Sequence, residues 1–143
     1  MTYQYLGDMQ HIFELKGTYI RESQNLHSTQ AQGGSLKSSA MLNALRLNGS
    51  YTYDQTYTAN LGYFDVIGTR DPLLYASNTS FRPDSQGLVA EFDYVPFGKT
   101  DSLWAPWANL RLAVQYTAYT KFDGSTRHTG DNNTLFVNGW LAY

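Results

Sequence analysis

The sequence contains no cysteine. A chain without cysteine forms no disulfide, offers no thiolate as nucleophile or metal ligand, and carries no CxxCH haem-attachment motif. The three histidines, His11, His27 and His128, lie far apart, and no pair of them has the spacing of a metal site. We therefore predict that this chain itself binds no metal and no cofactor.

Charged residues are also few, at 15% of the 143 residues, against a usual share of about 25%. The net charge is −2 and no basic stripe is visible, which argues against nucleic acid as a partner. The sequence has no run of about 18 apolar residues, so it predicts no transmembrane helix. It also has no G-x-S-x-G motif and no other set of nucleophile and base, so we predict that the chain is not an enzyme.

Tyrosine, by contrast, is abundant, and long segments alternate apolar and polar residues with the period of a β-strand. In the segment from Ala108 to Lys121, Leu110 and Val114 fall on one face and Arg111 falls on the other. The alternation holds for more than ten residues, whereas soluble strands usually have about 5–6. About 9–11 tilted residues cross a bilayer, so this length is typical of a membrane-spanning strand.

The same alternation predicts seven strands, joined by connections that run short, long, short, long, middling and long. Asp54–Thr56 is predicted to be a three-residue turn, because pairing Tyr53 with Tyr57 keeps both apolar faces on one side. Asp65 interrupts the apolar face of its strand, which predicts a bulge or the end of the apolar zone there. The predicted strands are Thr2–Leu6, Met9–Ser23, Leu36–Tyr53, Tyr57–Ile67, Gln86–Phe97, Ala108–Lys121 and Thr134–Tyr143.

Short turns on one side and long loops on the other are typical of transmembrane barrels. The sequence therefore predicts one all-β domain over residues 1–143, an antiparallel up-and-down transmembrane β-barrel of seven or eight long strands in the bacterial outer membrane. Single-chain bacterial barrels have an even number of strands, so seven strands predict either the C-terminal part of a larger barrel or a complete barrel with one further strand that the pattern does not reveal. The first residues lack the basic region and apolar core of a signal peptide, which fits a processed chain or a piece of a longer one.

The polar face of such a barrel would line its interior. Its charges are of both signs, which suits a lumen that passes small solutes, or an ion-paired interior without a transport role. The second interpretation is slightly favoured, because a mixed-charge interior is common among barrels. Asp93 and Arg111 are expected to pair. The predicted lumen-lining residues are Glu14, Lys16, Arg46, Glu91, Asp93, Arg111 and Lys121.

The apolar face would contact lipid, and its aromatic residues fall into two bands. Such bands are typical of the two membrane interfaces. Tyr19, Tyr63 and Tyr116 form the band nearer the long loops. The predicted interface aromatics on the other side are Tyr51, Tyr53, Tyr57, Tyr94, Trp104, Trp107 and Tyr143.

Three segments resemble a known family: YTYDQTYTANLGYFDVIGTRDPLLY, PDSQGLVAEFDYVPFGKTDSLWAPWANLRLAVQYTAYTKFDG and DNNTLFVNGWLAY. They are similar to the C-terminal half of a proteobacterial outer-membrane β-barrel family that is often labelled cytochrome-c-type. The resemblance implies partnership with the barrel-assembly machinery, with Tyr143 ending its recognition signal. It also implies electron transfer with a c-type cytochrome, the haem being carried by a segment upstream of this chain.

Two other functions fit a β-rich chain. A soluble β-barrel that binds an apolar ligand would point its apolar face inward and its charged face outward, so the direction of the alternation distinguishes it from a porin-like barrel. Glycine and alanine in the middle of the apolar face suit lipid better than a tight core. An outer-membrane lipase or protease is the least favoured, because no catalytic set supports it.

Overall fold

The computed structural model describes residues 1–7, 10–97, 99, 102, 104 and 107–143. These residues form one seven-stranded sheet in which each strand pairs antiparallel with its neighbours in the sequence. The predicted all-β, up-and-down architecture is confirmed, but the sheet is open: in the described part of the chain, the first and last strands do not pair with each other. The strands are β1 (Thr2–Leu6), β2 (His11–Asn25), β3 (Ser39–Tyr53), β4 (Tyr57–Gly68), β5 (Ser85–Tyr94), β6 (Asn109–Lys121) and β7 (Thr134–Ala142).

Two short helices lie in loops that were predicted to be irregular. They are α1 (His27–Ala31) and a single turn of 3-10 helix (Thr129–Asn132). Neither helix in the described residues is long and apolar enough to cross a membrane.

The turn between β3 and β4 has three residues, as predicted, because Tyr53 pairs with Tyr57. Asp54 and Gln55 both adopt left-handed backbone angles, with φ of 54° and 53°. The Thr56 amide donates to the Tyr53 carbonyl at 3.1 Å and closes the turn. The turn therefore fixes the register of the hairpin and keeps both apolar faces on one side.

Several predicted strand ends were wrong by two or three residues. Strand β3 begins at Ser39 instead of Leu36, because the Leu36 amide donates to a loop carboxylate and not to the sheet. Strand β5 ends at Tyr94 instead of Phe97, and Pro96 has no amide to continue a ladder. Strand β2 continues to Asn25, and the predicted start at Met9 lies outside the described residues.

The predicted irregularity at Asp65 is not a bulge, because Asp65 pairs regularly with Leu45 on one side and Gln86 on the other. The register shift lies instead between β5 and β6. Gln86 pairs with Lys121 and Gly87 pairs with Tyr119, so β6 has one extra residue at this point. The shift reverses the facing of β6 beyond Tyr119.

The sheet curls towards its polar face. Neighbouring residues of β5 differ sharply in exposure, since Phe92 is 51% exposed and Asp93 only 5%. Thr117, on the polar face of β6, is 9% exposed. Because the sheet is a single layer, side chains on its concave side crowd one another and those on its convex side spread apart. The concave side is therefore polar and the convex side apolar.

The three long loops lie at one end of the sheet and bind one another. Asp71, in the β4–β5 loop, is fully buried, and its carboxylate accepts hydrogen bonds from the Ser35 hydroxyl at 2.6 Å and from the Leu36 and Lys37 amides. The amides of Leu73 and Leu74 donate to the same carboxylate. One side chain thus joins the β2–β3 loop to the β4–β5 loop.

The β4–β5 loop also contacts the β6–β7 loop. The Gly124 amide donates to the Asp84 carbonyl at 2.7 Å, and the Ser80 hydroxyl donates to the Asp123 carbonyl at 2.8 Å. The Asp84 carboxylate accepts from the Gly68 amide, at the end of β4. The loops therefore form one connected layer above this edge of the sheet, which we call the loop layer.

Candidate functional site on the polar face

Six of the seven predicted lumen residues lie on the concave polar face. Directly paired residues of an antiparallel sheet share a face, so the register gives the arrangement. One row crosses the sheet from Glu14 through Ser50 and Asn60 to Glu91, and continues to Gln115. The same parity puts six charged residues on this face: Glu14, Lys16, Arg46, Glu91, Asp93 and Arg111.

Lys121 was assigned to the lumen, and the structure does not place it there. The register shift in β6 pairs it with Gln86, whose side-chain amide donates to the Tyr63 hydroxyl on the apolar face. Lys121 therefore lies on the apolar side, next to the loop layer. A bulge in a strand cannot be located from a period of two, so the alternation alone assigned the wrong face.

Arg111 is neutralised by two carboxylates. Its Nη2 atom lies 2.6 Å from Asp93 Oδ1 and 3.2 Å from Glu91 Oε1, and its Nε atom donates to Asp93 Oδ1 at 2.8 Å. The predicted pairing of Asp93 with Arg111 is present, although it is diagonal, because Asp93 pairs directly with Ala113. This cluster, near the turn end of the sheet, is ion-paired and carries a formal charge of one negative unit.

The other two cations of the face have no such partners. In the described part of the chain, neither Arg46 nor Lys16 has a carboxylate within salt-bridge distance, and Glu14 pairs with neither of them. Arg46 borders a cavity of about 380 Å³ on this face. Its other principal lining side chains are those of Asn48, Phe64, Gln115, Thr117 and Tyr119.

Two glycines let the side chains that line this cavity pack as they do, and the search for charged residues in the sequence missed them. Gly87 lies between Phe64 and Tyr119 in the register, and its missing side chain lets the two rings meet edge to face, with centroids 5.5 Å apart. At Gly62, a Cβ atom would lie 2.6 Å from the Asn48 side-chain oxygen. In the sequence, both glycines occupy positions that the alternation assigns to the polar face. This placement was the signal that could have pointed to them.

Replacing Gly87 with alanine is expected to destabilise the sheet. The new Cβ atom would lie 2.4 Å from the Ala118 carbonyl oxygen and 2.9 Å from the Phe64 ring. Backbone cannot yield as a side chain can, so we expect a loss of about 1–3 kcal/mol in the free energy of unfolding. Denaturant unfolding in detergent measures this loss. Gly139→Ala is the control, because its Cβ atom would meet Leu112 at an ordinary 3.7 Å, and an equal loss in both variants would contradict the explanation.

Aromatic residues also occur on the polar face of β7, where none was predicted. Phe136 pairs with Gln115, and Trp140 pairs with Arg111, so both share the polar face. Both side chains are exposed. They lie at the free edge of the sheet, and their positions follow from the same alternation that puts Leu135 on the other face.

Four of the predicted interface aromatics, Tyr51, Tyr53, Tyr57 and Tyr94, lie at the turn end of the apolar face. Tyr57 stacks on Tyr94 with ring centroids 5.3 Å apart, and Phe13 contacts Tyr51 at 4.7 Å. Tyr53 contacts the His11 ring at 5.3 Å. Trp104, Trp107 and Tyr143 are exposed.

The second aromatic band lies about 20–27 Å away along the strands, at ~3.4 Å per residue. Tyr19 and Tyr63 belong to it, and each has a hydrogen-bond partner: Tyr19 donates to Asn43, and Gln86 donates to Tyr63. Asn133 likewise donates to the Tyr116 hydroxyl at 2.9 Å. The hydroxyls of this band are therefore held by polar side chains next to the loop layer.

No group of three or more potential metal-ligating residues exists among the described residues. No protein-family model, curated protein or solved structure matches this chain.

Proposed function

We propose that this chain forms part of the wall of an outer-membrane β-barrel, acting as a channel or scaffold. The convex apolar face would contact lipid and the concave polar face would line an aqueous interior. One observation carries the proposal: in the described part of the chain, no further layer covers the apolar face. Among the described residues, Ala40 and Ala113 are the only buried hydrophobic residues, whereas Leu15, Leu61 and many others are exposed.

Exposing an apolar face to water costs about 25 cal/mol per Å² of apolar surface, whereas exposing it to hydrocarbon costs little. Soluble monomers rarely expose contiguous apolar patches of more than a few hundred Å². The aromatic bands that border the face support a membrane, because tyrosine and tryptophan are favoured at its interfaces. The soluble alternative requires the opposite arrangement, with an apolar interior.

The open edges of the sheet support a larger barrel. Unpaired backbone groups cost several kcal/mol each in lipid, so β1 and β7 need partners. Since β1 and β7 are both odd-numbered, they run in the same direction and cannot pair antiparallel with each other. We therefore propose that an odd number of additional strands closes the barrel. Partnership with the barrel-assembly machinery and with a c-type cytochrome stays a prediction from the family resemblance.

The membrane topology can be tested by cysteine labelling, because the chain has no cysteine of its own. Ser28, Ser77 and Thr126 are exposed residues of the three long loops, whereas Gln55 is exposed in the turn at the opposite end. A membrane-impermeant maleimide applied to intact cells is expected to label Ser28→Cys, Ser77→Cys and Thr126→Cys. It is expected to spare Gln55→Cys until the outer membrane is permeabilised. The proposed topology would be overturned if all four cysteines were labelled in intact cells, or if only one or two of the three loop cysteines were labelled.

A further inference from the structure

We propose that the cavity beside Arg46 binds small aromatic carboxylates. This proposal rests on the proposed function in one respect, because the polar face must be the wetted side of the sheet. It goes further in naming the class of solute and the residues that hold it. The alternative is that Arg46 is a solvated side chain without a ligand, and the experiment below separates the two.

The electrostatics of the polar face favour an anion at this position. Arg111 is already neutralised by Glu91 and Asp93, whereas Arg46 and Lys16 have no ion-pair partner in the described part of the chain. Lys16 pairs with Asn48, two residues from Arg46 along the same face, so the two cations are neighbours. The positive part of the face is therefore centred on the cavity, and the ion-paired part lies closer to the turn end.

The shape of Arg46 favours a carboxylate. The guanidinium presents a planar fork of donors that matches two carboxylate oxygens, and such paired hydrogen bonds are among the strongest in proteins. The cavity also contains neutral polar groups: the Gln115 amide donates to Thr117 at a long 3.4 Å, so it can exchange this partner for a ligand oxygen. A bound acid could therefore pair its carboxylate with the Arg46 guanidinium and accept a hydrogen bond from the Gln115 amide.

The walls favour an aromatic ring. Arg46 pairs directly with Phe64, so the two side chains leave the same face of the sheet as cross-strand neighbours. Phe64 and Tyr119 already meet edge to face, and a third ring packed against them gains the same interaction. The cavity volume of about 380 Å³ falls within the range of small-molecule sites, about 300–1,000 Å³. An acid with its ring a few Å from its carboxylate fits this pairing of cation and aromatic wall.

The test uses the full chain folded in detergent micelles, with 4-fluorobenzoate as the probe and fluorine NMR as the measurement. Saturable binding is expected, and 4-fluorobenzyl alcohol and fluoroacetate are expected to bind at least about tenfold more weakly, since each lacks one half of the interaction. Arg46→Gln is expected to weaken 4-fluorobenzoate binding by at least about tenfold, and Arg46→Lys by less, because lysine keeps the charge and loses the fork.

Arg21→Gln is the matched control, because it removes the same charge from a side chain that contacts Met41 near the loop layer and does not line the cavity. Its affinity for 4-fluorobenzoate is expected to equal that of the parent. Absence of saturable binding, or equal binding by the parent and Arg46→Gln, would overturn the proposal. Flotation with lipid vesicles on the same preparation distinguishes the two claims: insertion without binding rejects the site alone, and binding without insertion rejects the membrane function alone.

Discussion

Leu61→Arg is expected to destabilise the folded chain in a lipid bilayer by about 2–4 kcal/mol, although Leu61 is 62% exposed. The residue lies on the apolar face between the two aromatic bands, four residues after Tyr57 and two before Tyr63, and is paired with Gly49 and Ala90. An arginine there would place a charge near the centre of the hydrocarbon. The free energy of unfolding, measured by urea titration in vesicles, gives the effect.

The control for this variant is Asn48→Arg. Asn48 is exposed on the polar face and pairs with Gly62, the residue next to Leu61, so the same side chain is added at the same depth on the opposite side. In an aqueous interior this change is expected to cost about 0.5 kcal/mol or less. If both faces of the sheet met water, both substitutions would be tolerated equally. Equal small losses in the two variants, or a monodisperse parent in plain buffer, would reject the membrane proposal.

The second large effect is expected at the buried carboxylate of the loop layer. Asp71→Ala removes the acceptor of the hydrogen bonds from Ser35, Leu36, Lys37, Leu73 and Leu74. Hydrogen bonds to a charged group contribute about 1.5–3 kcal/mol each, and buried donors without an acceptor add a penalty. We expect the β2–β3 and β4–β5 loops to separate, with a loss of about 3 kcal/mol or more. Amide hydrogen exchange in the two loops should report the separation directly.

An exposed aspartate in another loop is the control for this prediction. The Asp131 side chain is 81% exposed, and His128 Nδ1 lies 3.9 Å from its carboxylate. Asp131→Ala is expected to change stability by less than about 0.5 kcal/mol. Fast exchange at Leu36 and Lys37 in both variants would show that the Asp71 carboxylate does not hold the loops together.

Asp71 also makes the loop layer sensitive to acid. Burial alone raises the pKa of this carboxyl, but the hydrogen bonds from Ser35 and from the Leu74, Leu36 and Leu73 amides outweigh burial and hold its pKa well below the usual range. The folded pKa is lower than the unfolded value of about 3.9, so the stabilisation is complete above that pH and is lost as the pH falls below it. Asp71→Asn should therefore lose less stability than the parent between about pH 4 and pH 2. Parallel acid curves would contradict this assignment.

Much of the sheet was predictable from residue order alone. A period of two over long segments gave the strands, their antiparallel order and the division into a polar and an apolar face. The three-residue turn at Asp54–Thr56 was predictable as well, because one register only keeps Tyr53 and Tyr57 on the same side. These features are local: each depends on neighbouring residues and on the fixed alternation of side chains along a strand.

The tertiary structure decided what depends on contacts between distant segments. The bulge in β6 puts Lys121 on the other face. A bulge arises from the pairing of two strands, so the sequence of either strand alone does not reveal it. In the sequence nothing distinguishes Asp71 from an ordinary turn aspartate, and only the approach of the β2–β3 loop makes it the buried acceptor that joins two loops. The walls of the cavity beside Arg46 likewise depend on the register, because Gly87 and Gly62 fall next to Phe64 and Asn48 on neighbouring strands. Sequence order thus determined which face each side chain of a regular strand takes, whereas the register between strands decided which of those side chains meet.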